Sequence, residues 1–329
     1  MHAVICKQHG PPENLVFEEI EQVPLEAGQV RVAVHACGVN FPDTLIIQDK
    51  YQFKPALPFS PGGEVAGIVR EVASDVDGFK EGDRVIAVLV FGGYADEVVT
   101  EATNLMPMPD GMDFVTAAGF TMTYGTSIHA LNDRARLQAG ENLLVLGAAG
   151  GVGLAAVEIG KALGARVIAA ASDPDKLLVC QEHGADELID YSKEDLKQRT
   201  KELTGGAGAD VVYDPVGGDA FDAATRCINW KGRLLVVGFA SGRIPQLPVN
   251  LTLLKGCQVV GVFWGAFTRY EPEANARNLR QLAEWFAAGI IKPHVCASYP
   301  LSRAAEAMNL MLKRRVRGKV VLTTDNLAA

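Results

Sequence analysis

The stretch Leu143-Leu144-Val145-Leu146-Gly147-Ala148-Ala149-Gly150-Gly151-Val152-Gly153-Leu154 decides how this chain is read. Four apolar residues bounded by glycine predict a short buried strand, and residues 154–163 continue as an apolar helix. Between them, Gly147, Gly150 and Gly153 predict a tight turn. A side chain there would block both the turn and the approach of backbone N–H groups to a diphosphate. The helix N-terminus adds unpaired donors and positive dipole at the same place. A lone glycine triplet says little. This one stands between a strand and a helix, and a second strand follows at residues 166–170, which is the context a dinucleotide site requires. On that reading Gly147, Gly150, Gly151, Val152 and Gly153 meet the phosphates; the bland alternative is a helix–strand packing turn without a ligand.

Outward from this turn, residues 123–265 alternate strands and helices at short spacing, with strands at 143–146, 166–170, 187–189, 211–214, 233–237 and 258–263. That alternation predicts an α/β fold, a doubly wound parallel sheet covered on both faces. Residues 1–122 are instead strand-rich and punctuated by Pro and Gly. After residue 266 come two helical stretches, 271–288 and 301–311, and a last strand at 319–323. The expected organisation is a nucleotide domain at 123–265 inserted into a discontinuous first domain, 1–122 with 266–329. Ligands of such sheets lie beyond the carboxyl ends of the strands, so a cleft between the domains is expected.

The 329 residues suffice for two cored domains. A net charge of −8 argues against general binding to nucleic acid or anionic membrane, so any phosphate site must be local and shaped. Six scattered cysteines without a C-x-x-C pair fit a reducing compartment, and a cytoplasmic protein is expected. No signal-peptide pattern is visible. The longest uncharged stretch, 142–157, is the strand–turn–helix itself rather than a membrane span.

An acidic residue about twenty positions past the glycines usually grips the ribose 2′-hydroxyl of NAD, and Asp173 stands near that distance. Yet Asp173-Pro174 is a good helix start, with Asp as N-cap and Pro in the first turn, so its carboxylate is expected to be occupied by backbone N–H groups. Ser172 then offers a hydroxyl and Lys176 a charge to a 2′-phosphate, with Tyr191 a third contact. Taken alone, Lys176 reads as a solvated surface lysine. With no acid left to repel the phosphate, NADPH is the expected cofactor.

Further motifs follow in order: Gly38-Val39-Asn40-Phe41-Pro42-Asp43, Leu57-Pro58-Phe59-Ser60-Pro61-Gly62-Gly63-Glu64, Gly82-Asp83-Arg84-Val85, Val211-Val212-Tyr213-Asp214-Pro215-Val216-Gly217 and Gly261-Val262-Phe263-Trp264-Gly265. Over nearly its whole length the chain resembles the medium-chain dehydrogenases/reductases, in their zinc-free quinone oxidoreductase branch. The resemblance implies a Rossmann nucleotide-binding domain, a GroES-like β-rich catalytic domain and an NADPH-dependent oxidoreductase. In that signature Glu158 replaces a usual glutamine, with only a helix-surface effect expected. Zinc-dependent relatives carry a cysteine and a histidine where this chain has Asn40 and Gly63, and Ala118 falls at the third ligand position. No His/Cys cluster has zinc spacing, so no metal is expected.

Without zinc to polarise an alcohol, hydride donation to an electrophilic acceptor is the expected direction. A quinone or conjugated carbonyl that takes hydride becomes an oxyanion needing hydrogen bonds and a proton. By the resemblance, Tyr51 lines the cleft and donates that proton; it also reads as an ordinary interface tyrosine. Asn40 presents an amide to nicotinamide or substrate, and Asp43 is either a site residue or a helix cap after Pro42. Thr121 matches a threonine beside the nicotinamide carboxamide, while Phe239, Phe263 and Trp264 approach the cofactor mainly through backbone. Lys319 is a pyrophosphate candidate. Leu45 replaces a second tyrosine found in some relatives, which makes the pocket greasier. Two other readings stand: a 2-enoyl thioester reductase using Lys50, Lys54 and Arg243 for coenzyme A, and a non-catalytic NADPH-binding structural protein. The apolar edge strand at 258–264 predicts a homodimer.

Overall fold

The computed structural model describes residues 1–328. They divide into two compact units: Met1–Met122 with the chain from Pro293 on, and Thr123–Lys292.

In the first unit, seven strands share a sheet. Its order is Val295–Pro300, Lys319–Thr323, Gln29–Val39, Glu64–Val72, Arg84–Val88 and Leu105–Pro107, with Glu97–Glu101 also paired to Gln29–Val39. Every pairing is antiparallel except that of the first two strands. Gln29–Val39 is buried along almost its full length, which explains its run of valines in place of a clean alternation. Val30, Val32 and Val34 pack with Val65, Val85 and Val320 in one core. Charged residues that open strands in such a core need partners inside it, and Glu64 and Lys319 are both buried strand-opening residues.

In the second unit, six strands run parallel in the order Glu187–Asp190, Arg166–Ala171, Asn142–Leu146, Ala209–Asp214, Ile228–Val236 and Gln258–Gly261. The helices Gly151–Ala162, Pro174–Glu182, Leu196–Leu203, Gly218–Cys227 and Asn250–Lys255 lie on the crossovers. The chain starts mid-sheet, winds to one edge, and returns to build the other half. The reversal falls between Asn142–Leu146 and Ala209–Asp214. Ligands of doubly wound sheets bind at that switch point, beyond the carboxyl ends. The glycine turn occupies it.

Three expectations need correction. Residues 266–292 belong with the second unit rather than the first. The Trp264 indole N–H donates to Asn275 Oδ1 at 3.1 Å, and Asn278 Nδ2 donates to Asp133 Oδ2 at 2.8 Å. These bonds tie the helices Trp264–Tyr270 and Pro272–Ala287 to the nucleotide unit. The edge strand expected to reach 264 stops at Gly261, because Phe263 is already the N-cap of the next helix.

Glu158 is not a helix-surface residue. It is buried, accepting from the Tyr124 hydroxyl at 2.5 Å, the Lys292 N–H at 3.1 Å and meeting His183 Nδ1 at 2.6 Å. One carboxylate thus joins the glycine-turn helix to three other segments of its unit. Among the described residues no helix is long and apolar enough to cross a membrane.

Candidate functional site

In the second unit the three glycines of the turn have different duties. Gly147 takes φ +56°, and a Cβ there would stand 2.9 Å from Val216 Cγ2. A Cβ on Gly153 would stand 2.4 Å from the Gly147 carbonyl oxygen, so this glycine lets the helix begin against the turn. Gly150 is unlike both. Its φ −78° and ψ 168° suit any residue, and the nearest atom to an added Cβ is 3.4 Å away. The fold does not demand glycine at 150. What the missing side chain keeps open is the space before the helix start. No side chain caps the helix Gly151–Ala162 there, so the N–H groups of Gly151, Val152 and Gly153 are first-turn donors at a positive helix end. Such an uncapped helix start presents main-chain donors suited to an anion.

Asp214, quoted above only as part of its motif, supports the same turn. Its Oδ1 accepts the N–H groups of Val216 and Gly217, each at 2.8 Å, which fixes the turn that presses Val216 onto Gly147. Burial pushes its carboxyl upward, opposed by those two N–H bonds. A lone acid ending an apolar strand was the available signal.

Past the neighbouring strand, Asp173 caps the helix Pro174–Glu182, its Oδ1 accepting the Lys176 N–H at 3.0 Å. The Lys176 ammonium folds back, donating to Ser172 Oγ at 3.0 Å and lying 3.3 Å from Asp173 Oδ2. Ser172 and Lys176 therefore share one strand end. Tyr191 follows the next strand, bonded through its N–H to the Ala171 carbonyl at 3.1 Å. Phe239 packs its ring near Gly217. Phe263 is exposed, but Trp264 is a packing residue: its buried indole lies where a Cβ on Gly125 would come within 2.8 Å.

In the first unit the structure gathers Asn40, Asp43 and Lys319, but as a buried polar cluster. Lys319 Nζ donates to Asn40 Oδ1 at 2.7 Å and the Val39 carbonyl at 3.2 Å, and lies 3.5 Å from Glu64 Oε2. Three donors meet three acceptors, which corrects the expectation of a pyrophosphate ligand. The Asn40 amide is spent as well, Nδ2 donating to Gly38 O and Glu64 Oε2 at 3.3 Å each. Asp43 resolves as a helix cap: Oδ2 accepts the Asn40 N–H at 2.7 Å and the Tyr94 hydroxyl at 3.2 Å. Thr121 is fully buried and donates to Met106 Sδ at 3.7 Å, not to an open face.

Burial pushes the Asp43 carboxyl up to about 6, against the pull of the Asn40 N–H and Lys319. Burial also raises Glu64, opposed first by the Lys319 charge and then by the Met122 N–H, which donates at 2.8 Å. Tyr51 is only half-buried. Its phenol is raised by burial and by the Asp43 charge, and no hydrogen-bond partner holds its hydroxyl among the described residues. The donor set around Asn40 does not fit zinc. It supplies an amide already bonded, the Asp43 carboxylate spent as a helix cap, and an ammonium beside the Glu64 carboxylate. Among the described residues, no group of three His, Cys, Asp or Glu side chains is placed to hold a metal ion.

Two family profiles match the chain: an alcohol dehydrogenase GroES-like domain over residues 26–110 and a zinc-binding dehydrogenase over residues 151–281. It is 43% identical over 325 residues to the quinone oxidoreductase-like protein 2 homolog of Nematostella vectensis, covering 98% of this chain and 88% of that protein. The quinone oxidoreductase of Escherichia coli, solved as a complex with NADPH, superposes with a TM-score of 0.93 at 30% identity, covering 98% of this chain and 100% of that one. An NAD-dependent alcohol dehydrogenase superposes with a TM-score of 0.90, also at 30% identity, over 98% and 99% of the two chains.

Proposed function

The chain belongs to the quinone oxidoreductase family of medium-chain dehydrogenases/reductases, and from that premise we propose that it carries hydride from NADPH to a quinone or similarly conjugated carbonyl without a metal. The observation that carries the cofactor assignment is the pairing of an open main-chain cradle at Gly150 with a lysine and a serine held together at the next strand end. Bound NADPH supplies the hydride from its nicotinamide ring.

The protein's own part is binding and proton supply. The N–H groups of Gly151, Val152 and Gly153 take the pyrophosphate, and Ser172 and Lys176, with Tyr191 nearby in sequence, take the 2′-phosphate. Tyr51 keeps its proton at neutral pH, since both influences on it act upward. Its hydroxyl is the group available to give a proton to the oxyanion left by hydride transfer. Asn40, Asp43, Thr121 and Lys319 support that unit from inside. The three basic residues considered for coenzyme A are all engaged: Lys50 with Gln48, Lys54 with Asp49, and Arg243 with Asp219 and Asp222.

The test is NADPH oxidation against a panel of quinones and enoyl thioesters, with Tyr51→Phe alongside. Turnover of quinones, lowered roughly 10²- to 10⁴-fold by Tyr51→Phe, is the expected result. Turnover of thioesters alone, or none with any acceptor, would overturn it.

We also assign a homodimer to the edge strand Gln258–Gly261, which ends the sheet, with exposed Val249, Leu253 and Leu254 preceding it in sequence. Sedimentation at micromolar concentration should give a dimeric mass, and a monomeric one rejects the assignment. Six free cysteines suit a reducing compartment such as the cytoplasm.

A further inference from the structure

We propose that Asp173 limits the preference of this site for a 2′-phosphorylated dinucleotide, by competing with the phosphate for the Lys176 ammonium. The inference rests on the reading of Ser172 and Lys176 as 2′-phosphate contacts.

Asp173 stands where an acid grips the ribose 2′-hydroxyl in NAD sites, just past the second strand of the sheet. Here its two oxygens are divided, which corrects the expectation that backbone N–H groups occupy the carboxylate and leave no acid to repel a phosphate. Oδ1 accepts the Lys176 N–H at 3.0 Å as helix cap, and Oδ2 lies 3.3 Å from the Lys176 ammonium. The lysine side chain is only 13% exposed, against 40% for the aspartate, so the ammonium is held at the strand end and not swept through solvent. Ser172 Oγ, 3.0 Å from the same nitrogen, fixes its place from the other side.

Two consequences oppose each other. The clamp keeps the ammonium in position, which aids any ligand that needs a cation there. The carboxylate also neutralises part of that charge. A 2′-phosphate carries a charge of about −1.5 to −2 at neutral pH. Seated on this ammonium, it would lie within roughly 6 Å of the Asp173 carboxylate, close enough for repulsion to survive physiological salt. A ribose 2′-hydroxyl is neutral and meets no such repulsion. Asp173 therefore discriminates between the two cofactors through a neighbouring residue. It is a positioning residue, and its charge rather than its capping role sets the ratio.

Removal of the charge can be separated from loss of the cap, because Asn and Ser cap helices about as well as Asp. The experiment is fluorescence titration of the purified full chain with NADPH and NADH for the wild type, Asp173→Asn, Asp173→Ser and Lys176→Ala. Asp173→Asn and Asp173→Ser are expected to tighten NADPH by about three- to tenfold while NADH changes by less than about twofold. The gain should shrink as ionic strength rises. Equal changes for both nucleotides would mean a structural cap only, and unchanged NADPH affinity would mean no competition; either overturns the proposal. Lys176→Ala separates the two levels. If it weakens NADPH selectively while the Asp173 variants do nothing, the proposal falls and the phosphate reading stands. If it weakens both nucleotides equally, the phosphate reading itself is wrong.

Discussion

Gly150→Ala is expected to fold with near wild-type stability and to bind NADPH roughly ten- to a hundredfold more weakly, whereas Gly153→Ala is expected to lose stability as well. The difference comes from what each methyl would meet. At 153 the new carbon falls 2.4 Å from the Gly147 carbonyl oxygen and 2.9 Å from Ala148 Cα. Both are backbone atoms, so the turn has to open, and overpacking of this kind costs about 1–3 kcal/mol. At 150 the methyl meets nothing closer than 3.4 Å, and the backbone is already extended. It stands at the N-cap, next to the residues that carry the first-turn N–H groups. Losing phosphate contact with those donors costs about 1.5–3 kcal/mol, the range of hydrogen bonds to charged groups. Urea unfolding and NADPH titration of both variants check the contrast. A Gly150→Ala protein that binds NADPH normally would show that the open space serves no ligand.

Lys319→Met should destabilise the protein by about 3–5 kcal/mol, because it strands the Glu64 carboxylate, 0% exposed, without its counter-charge. Burial already raises Glu64, and Lys319 is the largest influence holding it down. In the variant its folded-state pKa stands further above its unfolded value, so the native state binds the proton more tightly than the unfolded chain. Stability is then greatest below the unfolded pKa and falls as pH rises through the folded one. The deficit relative to wild type should therefore widen between acid and neutral pH. Adding Glu64→Gln should recover much of it, since a neutral pair has no stranded charge. Chemical unfolding across pH measures both. A Lys319→Met protein with wild-type stability at neutral pH would contradict the buried cluster.

These two sites mark where the sequence could be read and where it could not. The glycine turn, the strand–helix alternation and the Asp173-Pro174 helix start are local: periodicity and backbone demands within a few residues determine them. The alternation implied a parallel sheet covered on both faces, whereas the strand order is set by which neighbours pair in three dimensions. Lys319 was different. It reads as a pyrophosphate candidate beside the basic run Lys313-Arg314-Arg315, and nothing local says that this lysine opens a buried strand beside Glu64. Asn40 and Thr121 were drawn toward the cofactor by resemblance, but their side chains are satisfied by Glu64, Lys319 and Met106. Glu158 is the lone acid of a largely apolar helix, and the packing of Tyr124, His183 and Lys292 around it makes the position internal. The helix Pro272–Ala287 carries no mark of which unit it joins; Trp264, Asn278 and their partners decide that in three dimensions.

The most direct test is amide hydrogen exchange of the folded chain with and without NADPH, followed over residues 147–157. Slowed exchange concentrated at Gly150, Gly151, Val152 and Gly153 is the predicted outcome. NADPH binding that leaves those amides unchanged, or no binding by the folded protein, would contradict the main-chain cradle on which the functional reading stands.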